Sequence, residues 1–149
     1  MKVGDIAPDF TLLNQYGEEF NLYSNLNQNV LLIFYPKDNT PVCSNQLRDY
    51  QINIDKFEKI DVQLVAINIA DKDTHKNFCE NIDIKFPVLS DIDKKVSEQY
   101  DALNLFGMNK RLVVLVGKDK RIKLIRKMFS VTYTTSDELL EEISSLPLK

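Results

Sequence analysis

The run Val30-Leu31-Leu32-Ile33-Phe34-Tyr35 constrains this chain more than any other stretch. Its residues are apolar or aromatic without alternation, and that pattern fits a strand buried on both faces, as in sheets covered by helices on each side. A helix spanning a bilayer needs roughly 20 apolar residues, so six are too few for that alternative. Pro36 ends the run, and the polar loop Lys37-Asp38-Asn39 follows. A strand of this kind needs a layer above and a layer below, and the rest of the chain should supply them.

The flanking sequence does so in alternation. Phe10–Leu13 and Phe20–Tyr23 surround Gln15-Tyr16-Gly17 and read as an N-terminal hairpin. Thr40-Pro41 reads as a helix start, because Thr caps well and Pro suits the first helical position, where its missing N–H is not needed. Leu47, Tyr50, Ile54 and Phe57 continue that helix as one apolar stripe. Val62–Asn68 is the next strand. Asp73 or Thr74 caps a second helix, whose inner side carries His75, Phe78, Cys79 and Ile82. Phe86–Leu89 is a short strand, and Val96, Tyr100 and Leu103 mark another helix. Leu112–Val116 and Ile122–Met128 pair around Gly117-Lys118-Asp119-Lys120, and Ser136 caps a final helix. The order β-β-β-α-β-α-β-α-β-β-α predicts an α/β domain of thioredoxin-like fold, a mixed central sheet flanked by helices on both faces.

Composition narrows the function classes. The 149 residues suit one domain spanning 1–149. Nineteen Lys and Arg against 22 Asp and Glu give a net charge of −3, so the basic footprint of a nucleic-acid binder is missing. No apolar segment follows the first residues as in a signal peptide, and no membrane association is expected. Two cysteines, Cys43 and Cys79, are too few for a disulfide scaffold and suit a reducing cytoplasm. With a single histidine they leave a four-ligand zinc site unexpected, and no metal or organic cofactor is implied.

Cys43 takes the third position of the helix that starts after Thr40. Unpaired N–H groups and the helix dipole favour an anion there, and the thiolate is the reactive form of cysteine. Thr40 lies three residues earlier, so its hydroxyl can share the same small space. Position alone leaves open that Cys43 is a small buried hydrophobe.

The string Phe34-Tyr35-Pro36-Lys37-Asp38-Asn39-Thr40-Pro41-Val42-Cys43-Ser44 resembles the peroxiredoxin active-site motif P-x-x-x-T-x-x-C, matching at Pro36, Thr40 and Cys43. Gly4-Asp5-Ile6-Ala7-Pro8-Asp9-Phe10 resembles the opening of the bacterioferritin comigratory, or Q-type, peroxiredoxins, and so do Asp71–Pro87 and Asp91–Tyr100 farther on. The resemblance implies a thiol peroxidase that reduces hydrogen peroxide and organic hydroperoxides, with thioredoxin or a glutaredoxin-like reductant as partner. Cys43 would be the nucleophile, Thr40 would orient the peroxide, and Arg111 would stabilise charge at the sulfur and the leaving oxygen. Pro36 would shield the site, while the backbone at Val42 and Cys43 would help bind substrate. Lys110 is the competing candidate for the cation. The family's Thr-Pro-Gly-Cys-Thr is Thr-Pro-Val-Cys-Ser here, and its frequent Glu three residues after the nucleophile is Gln46. Gln46 keeps an acceptor but removes a negative charge near the sulfur. A monomer is expected, because the chain lacks the C-terminal extension of decamer-forming members.

Many Q-type members resolve the oxidised cysteine with a second one five residues on, where this chain has Arg48. Another branch places the resolving cysteine in the next helix, and Cys79 falls there. A sulfenic acid at Cys43 would condense with it to a disulfide. Because bridged Cα atoms lie within about 7 Å, the first turn around Cys43, the helix around Cys79, or both are expected to unwind after oxidation. The alternatives are that Cys79 only packs on its stripe and an external thiol resolves Cys43. A thioredoxin-like disulfide oxidoreductase is disfavoured, since Ser44-Asn45-Gln46 leaves no C-x-x-C.

Overall fold

In the computed structural model, residues 1–36, 38, 40–129 and 132–148 are described; Lys37 and Asn39 of the expected polar loop lie outside them. The double-sided apolar run forms β3 (Asn29–Phe34), buried along its whole length. It pairs in parallel with β4 (Val62–Asn68) and antiparallel with β6 (Arg111–Val116). Beyond β4 lies β5 (Val88–Ser90), parallel to it, then β1 (Thr11–Leu13) and β2 (Glu19–Asn21). On the other side β6 carries β7 (Ile122–Met128) antiparallel at the edge. The strands described therefore form one mixed sheet of order β2-β1-β5-β4-β3-β6-β7. The β1–β2 pair is the expected N-terminal hairpin, with Thr11 opposite Asn21.

Alternation along β3 splits the core in two. Leu31, Ile33 and Tyr35 face one layer with Leu47 and Tyr50 of α1 (Pro41–Ile52), Phe57 of α2 (Ile54–Lys59), Phe78 and Cys79 of α3 (Lys72–Ile82), and Leu139 and Ile143 of α5 (Ser136–Ser144). Val30, Leu32 and Phe34 face the other, with Phe10, Phe20, Leu22 and Val96 of α4 (Lys95–Gln99). Among the described residues no helix is long and apolar enough to cross a membrane.

Several local expectations need correction. Helix α4 stops at Gln99, so Leu103 lies beyond it in a bridge to Asn109. The stripe from Leu47 to Phe57 is two helices, not one. Asn53 sits between them at φ −101°, ψ 16°, and its side-chain amide donates to the Asp49 carbonyl at 2.9 Å and to Ser136 Oγ at 3.0 Å. Such side-chain bonds compete with the helical ladder. Helix α3 is capped by Asp71, whose carboxylate accepts from Thr74 N–H at 2.8 Å, rather than by Asp73 or Thr74. Helix α5 is capped by Thr135 in a capping box with Glu138, which frees Ser136 to donate from its hydroxyl to Asp49 at 2.7 Å.

Candidate active site

The end of β3 and the start of α1 build the site. Pro36 closes the strand, half-buried, and Thr40 turns the chain into the helix with an extended backbone at φ −94°, ψ 149°. Pro41 fills the first helical position, and Thr40 Oγ1 accepts from the Cys43 N–H at 3.3 Å. The local sequence thus fixes the sulfur at the third helical residue, with Val42 half-buried beside it. Cys43 itself is fully buried.

Sheet register brings in the cation. Phe34 of β3 pairs with Leu112 of β6, so Arg111 stands one residue beyond, beside the loop that leads to Cys43. Its Nη2 donates to Cys43 Sγ at 3.2 Å and its Nη1 donates to Gln46 Oε1 at 2.5 Å. Lys110 points elsewhere, donating to the Asp101 carbonyl at 3.3 Å. Gln46 is buried one turn after Cys43 and hands the chain of contacts on: its amide donates to Tyr50 Oη at 3.2 Å, and Tyr50 O–H donates to the Thr134 carbonyl at 2.7 Å. Burial is the main cause that pushes the Tyr50 hydroxyl far above its ordinary range, so it remains a donor. Tyr50 escaped the sequence reading because it looked like one more stripe residue.

Two open clefts flank this point and share Pro36 and Met108 as walls. One, about 460 Å³, reaches Thr40, Asn68, Ile69 and Ala70; the other, about 300 Å³, reaches Arg111, Met128 and Phe129. The first gives a small substrate room at Thr40, and the second gives it room at Arg111.

Cys79 occupies a different setting. It is buried in the last turn of α3, in the same apolar layer as Cys43, and both thiols are free. Burial, then the Asp38 and Glu80 carboxylates, push its thiol from an ordinary 9.0 to about 12. Asp38 is itself buried; it accepts from Tyr35 O–H at 2.5 Å and lies 2.7 Å from His75 Nδ1. The sequence reading placed His75 beside Cys79 but gave no sign of Asp38. Among the described residues no cluster of three His, Cys, Asp or Glu could hold a metal.

Comparison with known proteins agrees with this geometry. The AhpC/TSA family matches residues 3–125. A Helicobacter pylori (strain J99) protein bearing the name peroxiredoxin bcp is 36% identical over 131 residues, 88% of this chain and 81% of that one. The chloroplastic peroxiredoxin Q of Arabidopsis thaliana is 32% identical over 124 residues, 82% of this chain and 57% of that one. The crystal structure of the reduced Plasmodium vivax 2-Cys peroxiredoxin superposes with a TM-score of 0.89 at 27% identity, covering 97% of this chain and 96% of that one. With the family matching most of its length and the thioredoxin-like sheet beneath, the chain belongs to the AhpC/TSA family as a Bcp/Q-type peroxiredoxin, a thiol peroxidase.

Proposed function

We propose that Cys43 is the peroxidatic nucleophile of a two-cysteine cycle in which Cys79 resolves the oxidised sulfur and thioredoxin, or a glutaredoxin-like protein, returns the electrons. The observation that carries this reading is the Arg111 guanidinium against Cys43 Sγ at 3.2 Å, a charge-assisted contact that suits a thiolate. The thiolate attacks the terminal oxygen of a hydroperoxide. An S–O bond forms, the O–O bond breaks, and water or an alcohol leaves after taking a proton. Thr40 Oγ1 and the N–H groups at Val42 and Cys43 orient the peroxide. Arg111 meets the charge that develops on the leaving oxygen, and Pro36 limits water.

The Cys43 sulfenic acid then condenses with Cys79. The two cysteines belong to one apolar layer, which supports the pairing, but they sit in separate helices, so closure needs local unwinding. In this reading residues 1–149 act as one domain, a monomer in the cytoplasm, where such reductants are at hand.

Peroxide turnover coupled to thioredoxin tests the cycle on wild type, Cys43→Ser and Cys79→Ser, with non-reducing mass spectrometry after one equivalent of peroxide. Cys43→Ser should lose turnover altogether; full activity in that variant would end the reading. Cys79→Ser should keep the first oxidation and lose the intramolecular disulfide. A wild-type protein that holds a stable sulfenic acid instead supports a one-cysteine cycle resolved by an external thiol.

A further inference from the structure

Between the approach to the Cys43 helix and the helix that carries Cys79 lies a polar cluster with no part in the steps above. Asp38, 6% exposed, lies two residues before Thr40. A carboxylate only accepts, so the Tyr35 hydroxyl and the His75 Nδ1–H both donate to it, one to each oxygen. His75 is fully buried on α3 one turn before Cys79, and its Nε2 meets no hydrogen-bond partner among the described residues. Tyr35 is also fully buried, and its hydroxyl lies within electrostatic reach of Asp38, Cys79 and Cys43 together.

A buried carboxylate and imidazole are tolerated only while they satisfy each other. Remove either, and the partner is left in an apolar layer without compensation. The contact therefore closes or opens as a unit, and water compensates both groups once it is open. The unpartnered Nε2 gains a partner on opening, which keeps the closed form only marginally favoured.

We propose that Tyr35, Asp38 and His75 are positioning residues that latch the approach to the Cys43 helix onto the Cys79 helix and set the rate at which the oxidised protein opens to join the two sulfurs. The inference rests on the Cys43–Cys79 disulfide proposed above. In the joining step the Cys79 thiolate attacks the sulfenic sulfur of Cys43. An S–S bond forms and the S–O bond breaks. The departing hydroxide takes the proton given up by the Cys79 thiol and leaves as water. While the latch is closed, burial and Asp38 hold Cys79 as an unreactive thiol. Opening removes both influences at once, so one motion delivers geometry and nucleophile together.

The test follows the reduced full chain after one equivalent of hydrogen peroxide and measures peroxide consumption and disulfide formation separately. His75→Phe should leave consumption within about twofold and speed disulfide formation about tenfold, the effect of losing one buried polar contact. With excess peroxide, the same variant should accumulate less Cys43 sulfinic acid than wild type. His75→Asn, whose amide can replace Nδ1–H, should return the disulfide rate toward wild type. Tyr35→Phe removes one donor without changing packing and should give a smaller acceleration, which keeps the test decisive if His75→Phe folds poorly. A disulfide rate unchanged in His75→Phe and Tyr35→Phe, or equally fast in His75→Asn and His75→Phe, would overturn the latch. A wild-type protein that never forms the disulfide would instead overturn the two-cysteine cycle on which the latch rests.

Discussion

Cys43 and Cys79 are chemically identical, free, and buried in one apolar layer at 0% and 3% exposure, yet their surroundings are opposed. Cys43 stands at the third residue of α1, at the positive end of the helix dipole with its own N–H held by Thr40 Oγ1, and a guanidinium touches its sulfur. Cys79 stands in the last turn of α3, where the backbone offers carbonyls rather than unpaired donors, and the Asp38 carboxylate is the charge that acts on it most strongly. Burial therefore does not separate a reactive cysteine from a dormant one. Place along the helix and the sign of the neighbouring charge do, and in this chain both devices act together.

The sharpest way to break that contrast is to remove the cation from the Cys43 side. Arg111→Leu should slow the second-order reaction with hydrogen peroxide by roughly 10²–10³-fold, the cost of losing one preorganised donor at a reacting centre. Stopped-flow measurement on the reduced protein checks it. Arg111→Lys should recover only part of the loss, because an ammonium lacks the planar fork whose two ends reach the sulfur and Gln46. A rate within twofold of wild type in Arg111→Leu would mean that the helix N-terminus alone makes Cys43 what it is.

How much of this contrast the sequence carried depends on the distance over which each part is decided. Thr40-Pro41 announces the start of α1 within four residues of Cys43, because capping is a local affair, and β3 is legible as an unbroken apolar run. Arg111 is 68 residues from Cys43 and reaches it only through the pairing of Phe34 with Leu112. No spacing rule predicts that register, and it was the resemblance that singled out Arg111 over Lys110. The break at Asn53 depends on a bond to Ser136, 83 residues away, so periodicity ran straight across it. Asp38 and His75 meet across 37 residues between a loop and a helix, and a lone Asp in a polar loop carries no mark of its partner.

The Cys79 side can be sharpened by pH. A thiol near 9.0 in the unfolded chain and about 12 in the folded one stabilises the fold as long as it stays neutral in both states. That stability is fully present below pH 9 and is lost as pH rises from there toward 12. Between pH 9 and 10 the loss from Cys79 amounts to at most about 1 kcal/mol, and to less once solvent screening is counted. The buried tyrosines, with ordinary values of 10.0, enter the same balance by pH 10, and they do so equally in wild type and in a Cys79 variant. Denaturant unfolding of the reduced protein at pH 8, 9 and 10 should therefore fall more steeply for wild type than for Cys79→Ala. The variant starts from a lower stability because a cavity replaces the sulfur, so the slope is the quantity to compare. Parallel slopes would show that Cys79 is not held neutral by its surroundings.

The smallest effect is expected where the two kinds of surroundings are made more alike. Gln46 Oε1 accepts from Arg111 Nη1 while its amide donates to Tyr50 Oη, and Tyr50 spends its own proton on the Thr134 carbonyl. Gln46→Glu brings a carboxylate to the Cys43 side, as Asp38 already does on the Cys79 side. The new carboxylate competes with the sulfur for the guanidinium and cannot donate to Tyr50, so the tyrosine must abandon either Thr134 or its new neighbour. Each change is worth a fraction of a buried hydrogen bond, and together they should slow peroxide reduction about threefold without altering the intramolecular disulfide. The rate constant for hydrogen peroxide, measured beside wild type at one ionic strength, decides it. An unchanged or faster reaction would mean that Arg111 keeps its full effect on Cys43 even when a carboxylate shares it. In that event the helix N-terminus, rather than the balance of neighbouring charges, separates the two cysteines.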